Sequence, residues 1–502
     1  MRAAERSCFR FAMSWRLLLA CTWAFTLATA TKLQAQDDLT TQNGSSGFNG
    51  GWITGPASNP LSLLNGPANR TFGKAAPYDF ADFHPVTELD RRLPRWIAFQ
   101  VEERFRFEGY RNGQFQPGND DDYLLNRFRF QTDLRPLSWI RISAQVQDSR
   151  PMYQKPPFGP PNQNRWDLKL AYAEFGNPAR HWVSMRAGRQ ILNYNNTIMA
   201  SSEWRNQGRS YDSVVANFQQ GRFHLGIFAA SVVVPLASGI SHHQDGNNIY
   251  GLYGRLRSNS PRSDLEPFVL WHVQPSVTID PAVSNAKGKQ NLWAYGVRWK
   301  GQFHPSFEYS VEGVLESGTQ GNEPIRAWAT TEGIAYQKQS WWGQPRAFAQ
   351  FDYASGSSNP SGGVHHTFDA VYPNTHDRFG ITDMLGWQNI QAIRGGATFS
   401  PRLRWTVTAQ YLDFRLAQQN DALYNNAGIS IGHGNATFGK HVGDEADVYS
   451  WYEFNRHFNV GAGYGRLGSG SFLQHLTGAP GYSTYYVSLN FKDNGRTGEQ
   501  NQ

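Results

Sequence analysis

Apolar and polar residues alternate with a period of two in many stretches between about residue 95 and residue 491. In residues 403–412, for example, Leu, Trp, Val, Ala and Tyr alternate with Arg, Thr, Thr and Gln. A period of two places successive side chains on opposite faces of a β-strand. The pattern therefore predicts many strands that each have one apolar face. No apolar run of about 20 residues follows residue 35, so no membrane-spanning helix is predicted.

The composition indicates where the apolar faces point. Aromatic residues make up 14% of the chain, yet the mean hydropathy is −0.56. A soluble β-sandwich also alternates, but it packs its apolar faces against a second sheet. A membrane barrel is apolar outside and polar inside, which fits a chain that is polar on average and rich in aromatic residues.

The connections between the strand candidates favour the barrel further. About 18 candidates can be counted, and short Gly-, Pro- or Asn-containing turns alternate with long polar segments. We therefore predict an all-β protein, a transmembrane antiparallel β-barrel of about 18 strands, with short periplasmic turns and long extracellular loops. An even strand number puts both termini in the periplasm. The long segments are 108–121, 148–166, 191–210, 236–246, 274–289, 355–388 and 416–442.

The first 35 residues are predicted to be a cleavable signal peptide. Four arginines precede an apolar run from Leu17 to about Ala28, and small residues follow it. A membrane-anchor helix and lipidation at Cys21 are the alternatives. The chain has a net charge of +7, of which +4 lies in 1–35 (four Arg, Lys32 and Glu5), leaving +3. The rest of the chain has no cysteine and too little positive charge to indicate a nucleic-acid partner.

The remaining chain divides into three predicted regions. Residues 36–90 are rich in Gly, Asn, Ser and Pro, and are predicted to be a flexible periplasmic lead or a partial plug. Residues 91–491 are the predicted barrel, and 492–502 a polar periplasmic tail. The last predicted strand ends at the aromatic Phe491, which resembles the signal that the barrel-assembly machinery reads.

Strand parity predicts that a set of arginines points into the barrel. Guanidinium groups stay charged and can form two hydrogen bonds to a carboxylate, which suits a pore for anions. The alternative is an Arg–Glu ladder that ties strands together. The predicted inward arginines are Arg104, Arg106, Arg127, Arg129, Arg141, Arg186, Arg255, Arg298 and Arg404, with acidic counterparts Glu102, Asp212, Glu312, Asp352 and Asp447.

Two long segments are candidates for loops that fold into the barrel. Arg189, Arg205 and Arg209 lie in or beside the segment 191–210, so a constricting loop there would add basic groups to the pore. The segment 355–388 is the second candidate for a loop in the lumen or a lid. Solvated surface loops are the alternative for both.

Signals for catalysis, cofactors and metals are weak. A nucleophile elbow, G-x-S-x-G, is absent. A segment that mimics a phosphate loop has His441 where Ser or Thr must bind magnesium. The adjacent histidine pairs at 242–243 and 365–366 lack further ligands in sequence, and the acidic turn at 119–122 is expected to be solvated. We predict no catalytic residues, no cofactor and no metal.

Several short motifs resemble those of the alginate-export porin family over roughly residues 95–491. They include Gly188-Arg189-Gln190, Trp204-Arg205-Asn206, Asp352-Tyr353-Ala354-Ser355-Gly356 and Gly443-Asp444-Glu445-Ala446-Asp447. The resemblance implies a monomeric 18-stranded barrel in the bacterial outer membrane with an arginine-rich, electropositive constriction. It further implies passage of an anionic polyuronate from the periplasm.

These observations predict an outer-membrane channel for an anionic solute, most directly an exporter of an alginate-like exopolysaccharide. A general or carboxylate-selective uptake porin is one alternative, and a barrel enzyme acting on envelope lipid or polymer is another. The expected partners are outer-membrane lipid and lipopolysaccharide, the anionic polysaccharide or a small anionic solute, the barrel-assembly machinery and a periplasmic export scaffold. Nucleic acid is not an expected partner.

Overall fold

The computed structural model describes residues 83–177, 181–194, 197–259, 262–376, 378–435 and 437–495. The predicted signal peptide, most of the predicted lead and residues 496–502 lie outside the described residues. Among the described residues, no helix has the length and apolar character needed to cross a membrane.

Eighteen antiparallel strands form one closed sheet, which confirms the predicted barrel. Each barrel strand pairs with its neighbours along the chain, and the first strand pairs with the last. A separate hairpin, formed by β16 (Ala422–Tyr424) and β17 (Ser430–His433), lies in the connection that follows β15 (Trp405–Leu416). The strands are β1 (Ile97–Arg111), β2 (Asp121–Leu137), β3 (Ile140–Met152), β4 (Asn164–Phe175), β5 (Val183–Gln190), β6 (Tyr211–Gln220), β7 (Phe223–Val234), β8 (His242–Asn259), β9 (Arg262–Thr278), β10 (Lys287–His304), β11 (Phe307–Gln320), β12 (Glu323–Gln337), β13 (Arg346–Ala354), β14 (Ile390–Arg402), β15 (Trp405–Leu416), β16 (Ala422–Tyr424), β17 (Ser430–His433), β18 (His441–Glu453), β19 (Phe458–Ser469) and β20 (Gly481–Asp493).

The alternation of side chains follows the sequence pattern closely. In β1, Arg104 and Arg106 are buried, whereas Phe105 and Phe107 are 42% and 43% exposed. At these four positions of β1 the buried side chains are charged and the exposed ones are aromatic, the reverse of a soluble protein. This inversion is expected where lipid contacts the outer face and the interior is polar.

The strand bounds divide the connections into two sets. At the end where β1 begins, which we call the turn end, the connections 138–139, 221–222, 305–306 and 403–404 have two residues each. At the opposite end, the loop end, the longest connections are 191–210, 355–389 and 417–440. That the turn end faces the periplasm stays a prediction.

Two connections depart from the predicted alternation of short turns and long loops. At the loop end, β11 and β12 are joined by the two-residue turn 321–322, where Gly321 has a φ of +62°. This left-handed conformation suits glycine and allows a tight hairpin. At the turn end, β12 and β13 are joined by the longer segment 338–345.

A short helix, α1 (Pro85–Arg92), docks at the turn end beside β1 and β20. It occupies part of the segment predicted to be a flexible lead. The Asp493 carboxylate accepts hydrogen bonds from the backbone amides of Val86 (2.8 Å) and Thr87 (3.1 Å) and from the Thr87 hydroxyl (2.7 Å). Since β20 includes Asp493, the last strand continues two residues beyond the predicted boundary at Phe491.

We expect Asp493→Ala to undock α1 while leaving the barrel closed. The substitution removes the carboxylate that caps the first turn of the helix, and loss of such a cap costs about 1–2 kcal/mol. Hydrogen exchange of the Val86 and Thr87 amides would measure the effect. Unchanged protection of both amides would contradict it, and Lys338→Ala at the same end serves as a control.

Candidate functional site in the barrel lumen

The connection between β5 and β6 folds into the barrel; we call it inner loop A (residues 191–210). The C-terminal part of this loop is bound by Arg104 of β1, which donates hydrogen bonds to the carbonyls of Glu203 (3.1 Å) and Arg205 (3.0 Å). Arg127 donates to the same Glu203 carbonyl at 3.0 Å. Ser149 donates to the Asn206 carbonyl at 3.0 Å. The loop is therefore held against the inward faces of β1, β2 and β3.

The other part of inner loop A reaches different strands. The Thr197 hydroxyl donates to Glu312 of β11 at 2.6 Å. The ring of Tyr194 stacks on Phe228 of β7, with ring centroids 4.6 Å apart. One loop that contacts β1–β3 and also β7 and β11 must cross the lumen. The prediction that 191–210 folds inward agrees with this arrangement.

Glu203 is the electrostatic anchor of inner loop A. Its carboxylate lies 2.6 Å from Arg129, 3.6 Å from Arg127 and 3.8 Å from Lys169. Burial would raise the pKa of Glu203, but Arg129, Lys169 and Arg127 outweigh it and lower the pKa from 4.5 to about 2. Glu203 is therefore charged at neutral pH. The same arginines that parity assigns to the pore hold this loop.

The connection between β13 and β14 also enters the lumen; we call it inner loop B (residues 355–389). Arg378 forms an ion pair with Asp352, and both side chains are almost fully buried. Thr382 donates its amide (3.0 Å) and its hydroxyl (2.6 Å) to Glu445 of β18. The amide of Asp369 donates to Glu316 of β11 at 3.0 Å. These contacts fix inner loop B to the wall at three places.

The two inner loops pair with each other inside the barrel. The Ala200 amide donates to the Tyr372 carbonyl, and the Tyr372 amide donates to the Ile198 carbonyl, each at 2.9 Å. Arg209 donates to the carbonyls of Ala200 (2.8 Å) and Tyr372 (3.0 Å). This pairing couples inner loop A to inner loop B through the backbone.

An aromatic stack adds to the contact between the loops. The rings of Trp204 and His376 are nearly parallel at 3.9 Å, and the Arg106 guanidinium lies 4.0 Å from the centroid of the Trp204 ring. Burial lowers the pKa of His376 to about 4, and Arg106 and Arg104 act in the same direction against Asp383. His376 is thus neutral at pH 7, which lets it lie close to these cations.

Apolar side chains fill much of the space around the loops. Buried residues of both loops form one hydrophobic cluster with inward residues of the strands. The buried apolar side chains are therefore concentrated where the inner loops contact the inward faces of the strands. The loop members include Leu192, Ile198, Met199, Phe368, Phe379, Leu385 and Trp387.

Most of the predicted inward residues do face the lumen. Eight of the predicted arginines lie on inward strand positions, and each has a carboxylate or an inner loop as partner: Arg104, Arg106, Arg127, Arg129, Arg141, Arg186, Arg255 and Arg298. Glu102, Glu312, Asp352 and Asp447 also face inward. Whether any of them lines a permeation path stays a prediction.

Two predicted pore residues, Asp212 of β6 and Arg189 of β5, face outward, so the prediction that both line the pore is wrong. In β6, Tyr211 and Ser213 are buried and Val214 is 49% exposed, so Asp212 lies on the outer face. Arg189 binds its carboxylate with two nitrogens, at 2.7 and 3.0 Å. The parity assigned to β6 from sequence was wrong by one residue for Asp212, and a one-residue shift exchanges the faces of a strand.

Arg404 was also assigned wrongly to the pore. It lies in the two-residue turn 403–404 with a φ of +69°. Its guanidinium donates to the Phe454 carbonyl of a neighbouring connection at 3.0 Å. The alternation continues through Arg404 in sequence, but the hairpin turn interrupts the strand there.

Arg205 is the basic residue of the inner loops whose side chain is least engaged. Its guanidinium has no hydrogen bond or ion pair with any residue that the structure describes, while its carbonyl is held by Arg104 and Arg127. Burial and the neighbouring Arg209 lower the pKa of Arg205, and Asp383 acts in the opposite direction. A half-buried cation on a fixed backbone is suited to bind an anion in the lumen.

Sequence reasoning missed several charged residues of the lumen. Lys169, Glu266, Glu316 and Glu445 are all buried inward residues on strands, and parity applied to every charged residue would have found them. Glu203 carried no comparable signal, because a loop has no periodicity to show where its side chains point.

One group of possible metal ligands lies on the outer face at the loop end. Ligand atoms of Asp413, His441 and Asp444 lie within 4.8 Å of one another. Asp413 already pairs with Arg415 at 2.8 Å, and Asp444 accepts a hydrogen bond from Tyr411 at 2.6 Å. We therefore assign no ion to this group.

Solved structures share the barrel fold. Pseudomonas aeruginosa OpdO has a TM-score of 0.54 and 10% identity, covering 82% of this chain and 99% of that one. Acinetobacter baumannii OccAB2 has 0.54 and 10%, covering 78% and 97%. The P. aeruginosa outer membrane protein opdK has 0.53 and 10%, covering 78% and 98%. No curated protein is significantly similar in sequence.

The family comparison covers most of the chain. The family model described as alginate export matches residues 95–486, which is nearly the whole barrel. Together with the barrel fold, this match places the protein in the bacterial outer membrane and supports a channel. The chain belongs to the alginate export family.

Proposed function

We propose that this outer-membrane channel passes an anionic, carboxylate-bearing solute through a passage narrowed by inner loops A and B. The observation that supports this most is Arg205, a half-buried guanidinium that forms no hydrogen bond or ion pair with the described residues. An anion that leaves water needs replacement of its hydration, and a guanidinium supplies two directed hydrogen bonds to a carboxylate. Its neighbour Arg209 adds positive potential.

Family membership supports an anionic polysaccharide as the solute, secreted from the periplasm. A polymer must pass through weak, repeated sites, since a single tight site would trap it. If the solute is a polysaccharide, inner loops A and B would have to separate from part of the barrel wall to admit the sugar chain. The contacts of Glu203 and Arg378 would then govern opening.

A second candidate is uptake of small carboxylates. It is supported by the engagement of Arg104, Arg106, Arg127 and Arg129, which bind inner loop A rather than forming a continuous bare surface. A narrow passage beside Arg205 would fit a small acid without large loop movement. The two candidates differ in the size of the permeant and in the direction of transport.

Planar-bilayer recording of the refolded barrel would test the proposal and separate the candidates. We expect a reversal potential that indicates preference for anions. Block by polyuronate oligomers added from the turn end would support polysaccharide export. Indifference to polyuronate, with block by small dicarboxylates, would support uptake. A cation preference would overturn both.

Arg205→Ala is expected to weaken block by the anionic oligomer or acid about tenfold. The loss corresponds to a charged hydrogen-bonded contact that water replaces imperfectly. Arg404→Ala is the matched control, because the sequence pattern assigns both arginines to the pore whereas the fold puts Arg404 in a turn. An Arg205→Ala channel that is blocked as strongly as the wild type would remove Arg205 from the proposal.

A further inference from the structure

Three basic residues form a patch on the outer face at the loop end. Lys287 and Lys289 are exposed on β10, and Arg326 is exposed on β12. We call this the rim patch (Lys287, Lys289 and Arg326). Their strand neighbours Gln290 and Ile325 are buried inward residues, which places the three basic side chains on the outward parity. The Lys287 ammonium donates a hydrogen bond to the Thr278 hydroxyl at 2.6 Å, its one side-chain hydrogen bond among the described residues.

The rim patch differs from three other outward arginines at this end, each of which pairs with a carboxylate. Arg111 pairs with Asp122, Arg189 with Asp212, and Arg415 with Asp413. In contrast, the outward positions of β9–β12 near the rim patch are Val273, Asn291, Ser317, Thr319 and Pro324, so none of these described positions is acidic. The side chains of Lys289 and Arg326 have no ion pair with any described residue. Their positive charge is therefore open to a partner outside the chain.

A row of aromatic side chains lies beside the rim patch on the same face. Trp271 stacks on Trp293 with a centroid distance of 5.3 Å, and Tyr250 stacks on Trp271 at 4.9 Å. Trp328, 45% exposed, stacks on Tyr353 at 4.5 Å. Aromatic residues in such a row lie at the membrane–water interface. The rim patch is therefore at the level of lipid headgroups.

The connection next to the rim patch is unusually short. The turn 321–322 joins β11 to β12 with two residues, whereas the other connections at the loop end are longer. Arg326 of β12 is opposite Ser317 of β11, and Ser317 is opposite Trp293 of β10. Lys289 lies four residues before Trp293 on β10. Strand spacings put the Cα atoms of Lys289 and Arg326 roughly 16 Å apart. The patch can thus meet two separated anionic groups without a loop covering it.

We propose that the rim patch binds the phosphate groups of an anionic lipid in the outer leaflet, a headgroup that carries two phosphates. Lys289 and Arg326 each contact one phosphate, and Lys287 adds positive charge beside Lys289. The aromatic row packs against the upper acyl chains and the sugar or glycerol region. This proposal uses the predicted orientation, with both termini in the periplasm, and is independent of the permeant.

Binding of a fluorescent lipid A with two phosphates to the purified barrel in detergent tests this proposal. We expect the Lys289→Gln/Arg326→Gln double variant to bind about tenfold or more weakly, because each basic group near a headgroup contributes favourably. Lipid A without phosphates should bind both proteins equally weakly. Arg466→Gln is the matched control, since Arg466 is exposed and outward at the same end but stands outside the patch.

The outcomes separate the possible sources of phosphate. Equal affinity of wild type and double variant for phosphorylated lipid A would overturn the proposal. Complete displacement of lipid A by equimolar inorganic phosphate would also overturn it, because the site would then serve a free anion. Unchanged heat-modifiable migration of the double variant in gels would establish that it is folded.

Discussion

Glu203→Gln is expected to detach inner loop A from the barrel wall and to raise the single-channel conductance severalfold. The substitution keeps the shape of the side chain but removes the charge that faces Arg129, Arg127 and Lys169. Removing one partner from a buried ion pair leaves uncompensated charge and costs about 3–5 kcal/mol. The loop can relieve this by moving away, which admits water to the cations. Single-channel recording measures the result.

The pH dependence of the single-channel conductance provides a second test of the role of Glu203. Its folded pKa, about 2, lies below its usual value of 4.5. A depressed carboxyl pKa means that its stabilising contribution is fully present above about pH 4.5 and is lost as the pH falls towards 2. Wild-type conductance should therefore rise at acidic pH towards that of the variant. His376 titrates near pH 4, so the difference between wild type and Glu203→Gln isolates the carboxyl.

A control for charge alone is Asp245→Asn. Asp245 is fully exposed at the loop end, and among the described residues its carboxylate forms an ion pair with His243 alone. The Asp245→Asn substitution removes one negative charge, as Glu203→Gln does, but does not alter the inner loops. The conductance of the Asp245→Asn channel should therefore match that of the wild type. Equal conductance of Glu203→Gln and wild type at pH 7 would show that inner loop A is held by its backbone contacts alone.

Arg378→Met is expected to lower the free energy of unfolding by about 3–5 kcal/mol, because it leaves the Asp352 carboxylate buried without its cation. The exposed fractions of the two side chains are 2% and 0%, so water cannot take over the role of the guanidinium. Arg378 also lies over the Trp387 ring at 4.3 Å, and this contact is lost too. Urea unfolding followed by gel migration would measure the change.

A second substitution distinguishes the ion pair from packing. In Arg378→Met/Asp352→Leu both charges are gone, and well-packed apolar replacements of a buried pair are often neutral or stabilising. We therefore expect the double variant to regain most of the stability lost by Arg378→Met. If the double variant is no more stable than Arg378→Met, packing around Trp387 rather than the unpaired carboxylate is responsible for the loss.

The wall of the barrel was predictable because its signal is local. Period-two alternation puts Arg104 inside and Phe105 outside. This pattern is favourable along each strand because the outer face contacts lipid and the interior is polar. The errors at Asp212 and Arg404 arose where a strand began or a hairpin turned. Parity is defined only within a strand, so an uncertain boundary leaves the face of the terminal residues undetermined.

The interior contacts were not predictable in the same way. The bond between Thr197 and Glu312 joins residues 115 apart in sequence, and that between Thr382 and Glu445 joins residues 63 apart. Nothing in the sequence near Glu203 identifies Arg129 as its partner, since the pairing depends on how a 20-residue connection crosses the lumen. The sequence pattern could indicate that 191–210 and 355–388 enter the barrel, but not which wall residues they bind.

The contact between Asp493 and α1 links the segment that precedes the first barrel strand to the end of the last one, with Thr87 and Asp493 separated by 406 residues. Asp493 reaches its position only when β20 has paired with β1, because it is opposite Val101 in that register. The binding site for α1 is thus complete only when the barrel has closed. Protection of the N-terminal segment can serve as a reporter of completed assembly, and a stalled, open-seamed intermediate would leave that segment accessible to periplasmic proteases.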